Sequence, residues 1–150
     1  MGNCSIDESS HLSRALEDYL KTIYDIQNEY GSAAVTDIAE RMGVKNPSVT
    51  DALQRLNKLG LVHYRRYRNV TLSKEGKGIA ESLQCVHNTL RDFFLLLNVE
   101  KKIANIDACR IEHVAHSQTV HRLSQFLEFV KTEPECKTVF DKFEQSLALK

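Results

Sequence analysis

The run Asp107-Ala-Cys-Arg-Ile-Glu-His113 sets a thiol, a carboxylate and an imidazole at positions 109, 112 and 113. On a helix the spacing i, i+3, i+4 brings such residues to one face, and Cys, Glu and His are side chains that bind transition metals. Asp18 and His87 are two more ligand types, each in a segment whose periodicity otherwise reads as a core stripe. Polar groups facing a core need partners, and one cation would satisfy all five. A plainer reading stands beside this one, because a Glu-His pair is often an ordinary exposed pair and a lone buried Cys is often core.

The elements that must position these residues follow from periodicity and punctuation. Leu12, Leu16, Tyr19, Leu20, Ile23 and Tyr24 recur with helical period, so a helix is expected over about 12–29, ended by Gly31. Thr36 is the expected N-cap of a short helix over 37–42, with Gly43 in the turn after it. Asn46 and Pro47 fit N-cap and first helical position of another, whose stripe is Val49, Ala52, Leu53 and Leu56. Two short helices joined by a glycine turn make a helix-turn-helix. The run 61–72 is rich in β-branched and aromatic residues around an Arg-Asn tip and reads as a hairpin, the wing. Ser73 then caps a long helix to about Leu97. Further helices are expected over 101–106, 108–116, 118–131 and 135–147, the last with Val139, Phe140, Phe143 and Leu147 in register. The fold class is therefore mainly α: a winged helix-turn-helix domain over 1–80 and an all-helical domain over 81–150.

With 150 residues and 42% apolar content the chain has enough material for a genuine core. No stretch approaches the ~18 apolar residues of a membrane span, and the amino terminus lacks the layout of a signal peptide, so a cytoplasmic protein with no membrane partner is expected. The four cysteines are far apart and form no Cys-x-x-Cys pair, which argues against a disulfide framework and a zinc ribbon. Formal net charge is zero, yet residues 35–78 carry nine Lys/Arg against four Asp/Glu. Such a basic segment fits an anionic partner.

Lys45, Asn46, Pro47, Ser48, Thr50, Asp51, Gln54, Arg55 and Lys58 fall on or beside the recognition helix, away from its apolar stripe. Early residues there would meet base edges and later basic ones phosphates. In the wing, Arg65, Arg66 and Arg68 interleave with Tyr64 and Tyr67, a pattern suited to DNA backbone or minor groove. A solvated charged hairpin on a protein-binding winged helix is the alternative.

Five strings, Leu16-Glu-Asp-Tyr-Leu-Lys-Thr-Ile-Tyr24, Val35-Thr-Asp-Ile-Ala-Glu-Arg-Met42, Asn46-Pro-Ser-Val-Thr50, Leu72-Ser-Lys-Glu-Gly-Lys77 and Asp107–His113, together resemble the diphtheria-toxin-repressor family of metal-dependent regulators. The resemblance spans about residues 12–131, in order. The short length resembles the manganese-transport-regulator branch, which lacks the SH3-like domain of the iron branch. What the resemblance implies is a homodimer that binds a palindromic operator when metal-loaded and represses metal-uptake genes.

It also implies a mixed ligand set. Asp18 falls where the manganese branch has aspartate and the iron branch methionine, while Lys21 replaces the second carboxylate of the manganese branch. Cys109 falls where the iron branch has cysteine and the manganese branch glutamate; His87, Glu112 and His113 match both. Arg91 and Asn105 stand where the iron branch's accessory site would need ligands. This donor set is softer than an all-oxygen cage, so Fe(II) is the expected cofactor, with Mn(II) next. His116, one turn further on, is an additional candidate. A winged-helix regulator answering a thiol oxidant at Cys109, or an organic ligand, is the rival. An enzyme is not expected, since no His-Glu-x-x-His string and no extra general base accompanies the ligands.

Overall fold

Seven helices and one short hairpin follow one another along the described residues, 12–66 and 68–148, of a computed structural model. They are α1 (Arg14–Tyr30), α2 (Val35–Met42), α3 (Asn46–Lys58), β1 (Val62–His63), β2 (Thr71–Leu72), α4 (Lys74–Leu96), α5 (Lys101–Ile111), α6 (Ser117–Thr132) and α7 (Pro134–Ala148). Two compact units part within α4, between Gln84 and Cys85. Among these residues no helix is long and apolar enough to cross a membrane.

In the first unit, α1 commits Leu20, Ile23 and Ile26 to the core, and Ile38, Val49, Leu53, Leu56, Val62 and Val70 join them. Each such side chain, fully buried, contributes roughly 1.5–3 kcal/mol relative to exposure. Gly43, at φ 67, makes the helix-turn-helix turn in the left-handed region that a side chain disfavours. Arg41 of α2 holds α1 with a two-pronged pair to Glu29, at 2.7 and 2.8 Å. The hydrogen bonds from its guanidinium hold the Glu29 carboxyl below the usual carboxylate range.

Two of the three expected caps are displaced. α2 begins two residues before the expected start, with Ala34 at its N-cap, and Thr36 Oγ1 donates to the neighbouring Asp37 carboxylate at 3.3 Å instead. Lys45, not Asn46, caps α3; its carbonyl accepts from Ser48 and Val49, so Asn46 and Pro47 occupy the first turn. Pro47 has no N–H to lose, and the position suits it.

The hairpin ladder is two residue pairs long, Val62 with Leu72 and His63 with Thr71. Its outer edge is completed by the segment between α1 and α2: Ala33 and Val70 form a bridge, with bonds of 3.1 and 2.7 Å. Ser73 caps α4 as expected, its Oγ accepting the Gly76 N–H at 3.0 Å. Gly76 is required there, because a Cβ would collide with the Leu61 carbonyl that closes the hairpin.

The second unit is built on Val86 and Leu90 of α4, Ala108 of α5 and Val120 of α6. Asn98, at φ 61, makes the left-handed turn between α4 and α5, a conformation asparagine tolerates. The two helices expected over 101–106 and 108–116 are corrected to one, Lys101–Ile111, followed by a turn. No glycine or proline occurs between Gly78 and Pro134, so nothing interrupts α5 at Asp107. Phe126 and Phe129 of α6 and Val139, Phe143 and Leu147 of α7 are exposed apolar residues. Cys109 and Cys136 are free thiols, both half-buried.

The two glycines at the start of α4 make a matched test. Gly76→Ala is expected to destabilise by about 1–3 kcal/mol through overpacking. Gly78→Ala, with open space at its Cβ, is expected to stabilise by about 0.5–1 kcal/mol. Urea unfolding of the two variants beside the parent reads both, and the reverse order would contradict the packing described.

Candidate metal centre and nucleic-acid face

α5 ends at Ile111, so Cys109, Glu112 and His113 do not share one helix. Glu112 is the C-cap, still right-handed at φ −54 and ψ −31, and its N–H donates to Ala108 at 2.9 Å. His113 lies in the turn that follows. This helical continuation buries the Glu112 side chain completely.

Two imidazoles meet that carboxylate. His87 Nδ1 of α4 is hydrogen-bonded to Glu112 Oε2 at 2.6 Å, and His113 Nε2 stands 3.3 Å from Oε1. Their side chains are 14% and 2% exposed. Taking an ionised carboxylate out of water costs several kcal/mol unless positive charge and hydrogen bonds answer it. A protonated imidazole answers part of that cost, and a divalent cation answers more. One buried carboxylate and two imidazoles therefore fit a transition metal better than Ca²⁺ or Mg²⁺, which favour all-oxygen shells.

The other expected ligands lie as follows. Cys109 is in α5, one turn before Glu112, and half-buried. Asp18 is on α1 of the first unit, half-buried, with Lys21 one turn later, also half-buried. His116 is the exposed N-cap residue of α6. The Arg91 guanidinium donates to Asp92 Oδ1 at 3.0 and 2.7 Å and to Asn88 Oδ1 at 3.0 Å. Asn105 is bonded to the Lys101 carbonyl at 2.7 Å. An amide spent on its own helix and a guanidinium are poor metal donors.

Of the residues expected to face DNA, Lys45, Asn46, Pro47, Ser48, Asp51, Gln54 and Arg55 are exposed along α3 and its cap. Thr50 is half-buried, and its hydroxyl bonds the Asn46 carbonyl at 3.1 Å. Arg65, Arg66 and Arg68 are exposed at the hairpin tip; Tyr67 lies outside the described residues. Sequence reasoning missed three amides that hold this tip. Asn57 Oδ1 accepts the Tyr64 N–H at 3.0 Å, Asn69 Nδ2 donates to Ser32 Oγ at 2.8 Å, and Gln27 Oε1 accepts the Leu72 N–H at 2.9 Å. Nothing in the local pattern marks them, since each partner lies on another element.

A winged helix with a basic face, followed by a helical unit with a buried carboxylate between imidazoles, describes a DNA-binding regulator that takes a metal. Residues 11–70 match the family model for the iron dependent repressor N-terminal DNA binding domain. Residues 73–141 match its metal binding and dimerisation domain. The transcriptional regulator MntR of Escherichia coli is 33% identical over 119 residues, 79% of this chain and 77% of that protein. Its Salmonella typhimurium counterpart is 34% identical over 122 residues, covering 81% and 76%. Among solved structures, the manganese regulator SloR matches with a TM-score of 0.67 at 30% identity, over 76% of this chain and 54% of that one. The chain belongs to the iron-dependent (diphtheria-toxin) repressor family and is a metal-dependent transcriptional repressor, not an enzyme.

If Glu112 and His113 hold the ion, metal should stabilise the parent and not their variants. Mn(II) at about 100 times its dissociation constant is expected to add about 2.7 kcal/mol to the parent. Glu112→Ala and His113→Ala should lose most of that gain while keeping the parent's helical circular dichroism in chelator. Thermal melts with and without Mn(II) measure it, and a full shift in either variant would remove that residue from the site.

Proposed function

We infer that the chain, as a homodimer, binds a palindromic operator when loaded with Fe(II) or Mn(II) and represses metal-uptake genes. The DNA-binding domain is 1–80 and the metal-binding and dimerisation domain 81–150. The ligands are Asp18, His87, Cys109, Glu112 and His113. The observation that carries this reading is the fully buried Glu112 carboxylate between His87 and His113, within the stretch that matches a metal binding domain.

When bound, the ion supplies positive charge to the buried carboxylate. Asp18 contributes from the DNA-binding half, so that occupancy of the site is felt by the winged helix. α3 reads base edges through Lys45, Asn46, Pro47, Ser48, Thr50, Asp51, Gln54 and Arg55, and Arg65, Arg66 and Arg68 neutralise phosphate. A second copy covers the exposed apolar residues of α6 and α7, of which Phe126, Phe129 and Val139 fall within the stretch that matches the dimerisation model. Two recognition helices then meet half-sites about one helical turn, or a multiple of it, apart. A thiol-oxidant sensor at Cys109 would leave the buried carboxylate without a purpose.

Two considerations pull the metal preference apart. The Cys109 thiolate and the Lys21 ammonium favour Fe(II) over a carboxylate-rich manganese site. Two of the similar solved structures, in contrast, are named as manganese regulators. Anaerobic operator-binding titrations with Fe(II), Mn(II), Zn(II) and Co(II) decide between them. In the same assay Cys109→Glu with Lys21→Glu is expected to move preference toward Mn(II) by about tenfold or more, since harder ligands replace a thiolate and a repelling charge. An unchanged Mn(II)-to-Fe(II) ratio would contradict both assignments.

A further inference from the structure

We propose that Gln27 is a positioning residue for DNA binding, fixing from α1 where the arginine-bearing tip of the wing stands relative to α3. The inference rests on the reading of Arg65, Arg66 and Arg68 as phosphate contacts.

The hairpin cannot hold itself. Two paired residues on each strand make a ladder far shorter than an independently stable hairpin needs, and residues 64–70 beyond it carry the three arginines. In an antiparallel pair, residues alternate between bonding each other and pointing their N–H groups outward. Ser73 N–H donates inward to Leu61 at 3.0 Å, whereas Leu72 and Val70 point theirs away from β1. Val70 is met by the Ala33 carbonyl at 2.7 Å. The next outward donor, Leu72, would need another residue on the same outer strand, but the chain has already turned into α1. The Gln27 side chain takes that place, 45 residues away in sequence, with its Oε1 at 2.9 Å.

Gln27 is also the residue whose carbonyl accepts the Gly31 N–H that ends α1, at 2.8 Å. The segment leading from it to Ala33 is therefore anchored at the point where it leaves the helix. Asn57, bonded to Tyr64 from the end of α3, holds the opposite strand. The tip is thus suspended between an amide on α1 and an amide on α3, with its own Asn69 bonded to Ser32 between them. Gln27 is only half-buried and lies outside the core cluster, so its loss need not unfold the unit.

A double-mutant cycle tests this, using Mn(II)-loaded protein and a duplex selected by that protein from a random-sequence pool. Gln27→Leu keeps the bulk and removes the acceptor; Gln27→Glu keeps an acceptor oxygen. Gln27→Leu is expected to weaken binding about fivefold in the parent, the factor one net hydrogen bond makes. In a chain carrying Arg65→Ala, Arg66→Ala and Arg68→Ala it should change nothing, while Gln27→Glu should bind, in each background, like the chain in which it is made. No loss in the parent background, or an equal loss in both backgrounds, would overturn the role. Should Gln27→Leu fail to fold, Gln27→Asn, too short to reach Leu72, takes its place in the same cycle. The triple-alanine chain alone judges the phosphate reading: binding as tight as the parent's, with an unaltered salt slope, would refute that reading by itself.

Discussion

A carboxylate with no exposure to water, set between two imidazoles, is the constraint around which the second unit is arranged. Glu112 is buried where an ionised carboxylate would cost several kcal/mol of desolvation, a cost that hydrogen bonds, cationic partners or a metal ion offset. His87 reaches it from α4 and His113 from the turn after α5, so the site depends on α4, α5 and their packing through Val86, Leu90 and Ala108.

DNA binding rests on a different kind of order. α3 is held by apolar burial, with Val49, Leu53 and Leu56 inward and nearly all its polar residues outward. The wing has little burial of its own beyond Val62, Val70 and Leu72, and its arginines stand on a two-pair ladder. Directed bonds from Gln27, Asn57 and Ser32 replace the packing it lacks. An element fixed by a few polar bonds is also one that substitutions can loosen without melting the core.

The helix-turn-helix and the wing were readable in advance because their signals are local: Gly31 and Gly43 at turns, Pro47 in a first turn, apolar stripes with helical period. Caps were placed less well, since Thr36 and Asn46 advertise capping chemistry while backbone geometry gave the positions to Ala34 and Lys45. The spacing of Cys109, Glu112 and His113 pointed to a ligand set, although the shared helix face it assumed is cut short at Ile111. That His87, 25 residues earlier, meets Glu112 is tertiary and has no periodic signature. The same holds for Gln27, whose partner lies two elements beyond α3.

If metal and DNA act on one another through this protein, the effect must be reciprocal, because linkage is thermodynamic. The direct measurement is Mn(II) affinity under anaerobic conditions, with and without saturating operator duplex. Operator is expected to tighten Mn(II) binding by the same factor by which Mn(II) tightens operator binding, about 5- to 150-fold. Identical Mn(II) affinity in the presence and absence of operator would contradict metal control of DNA binding.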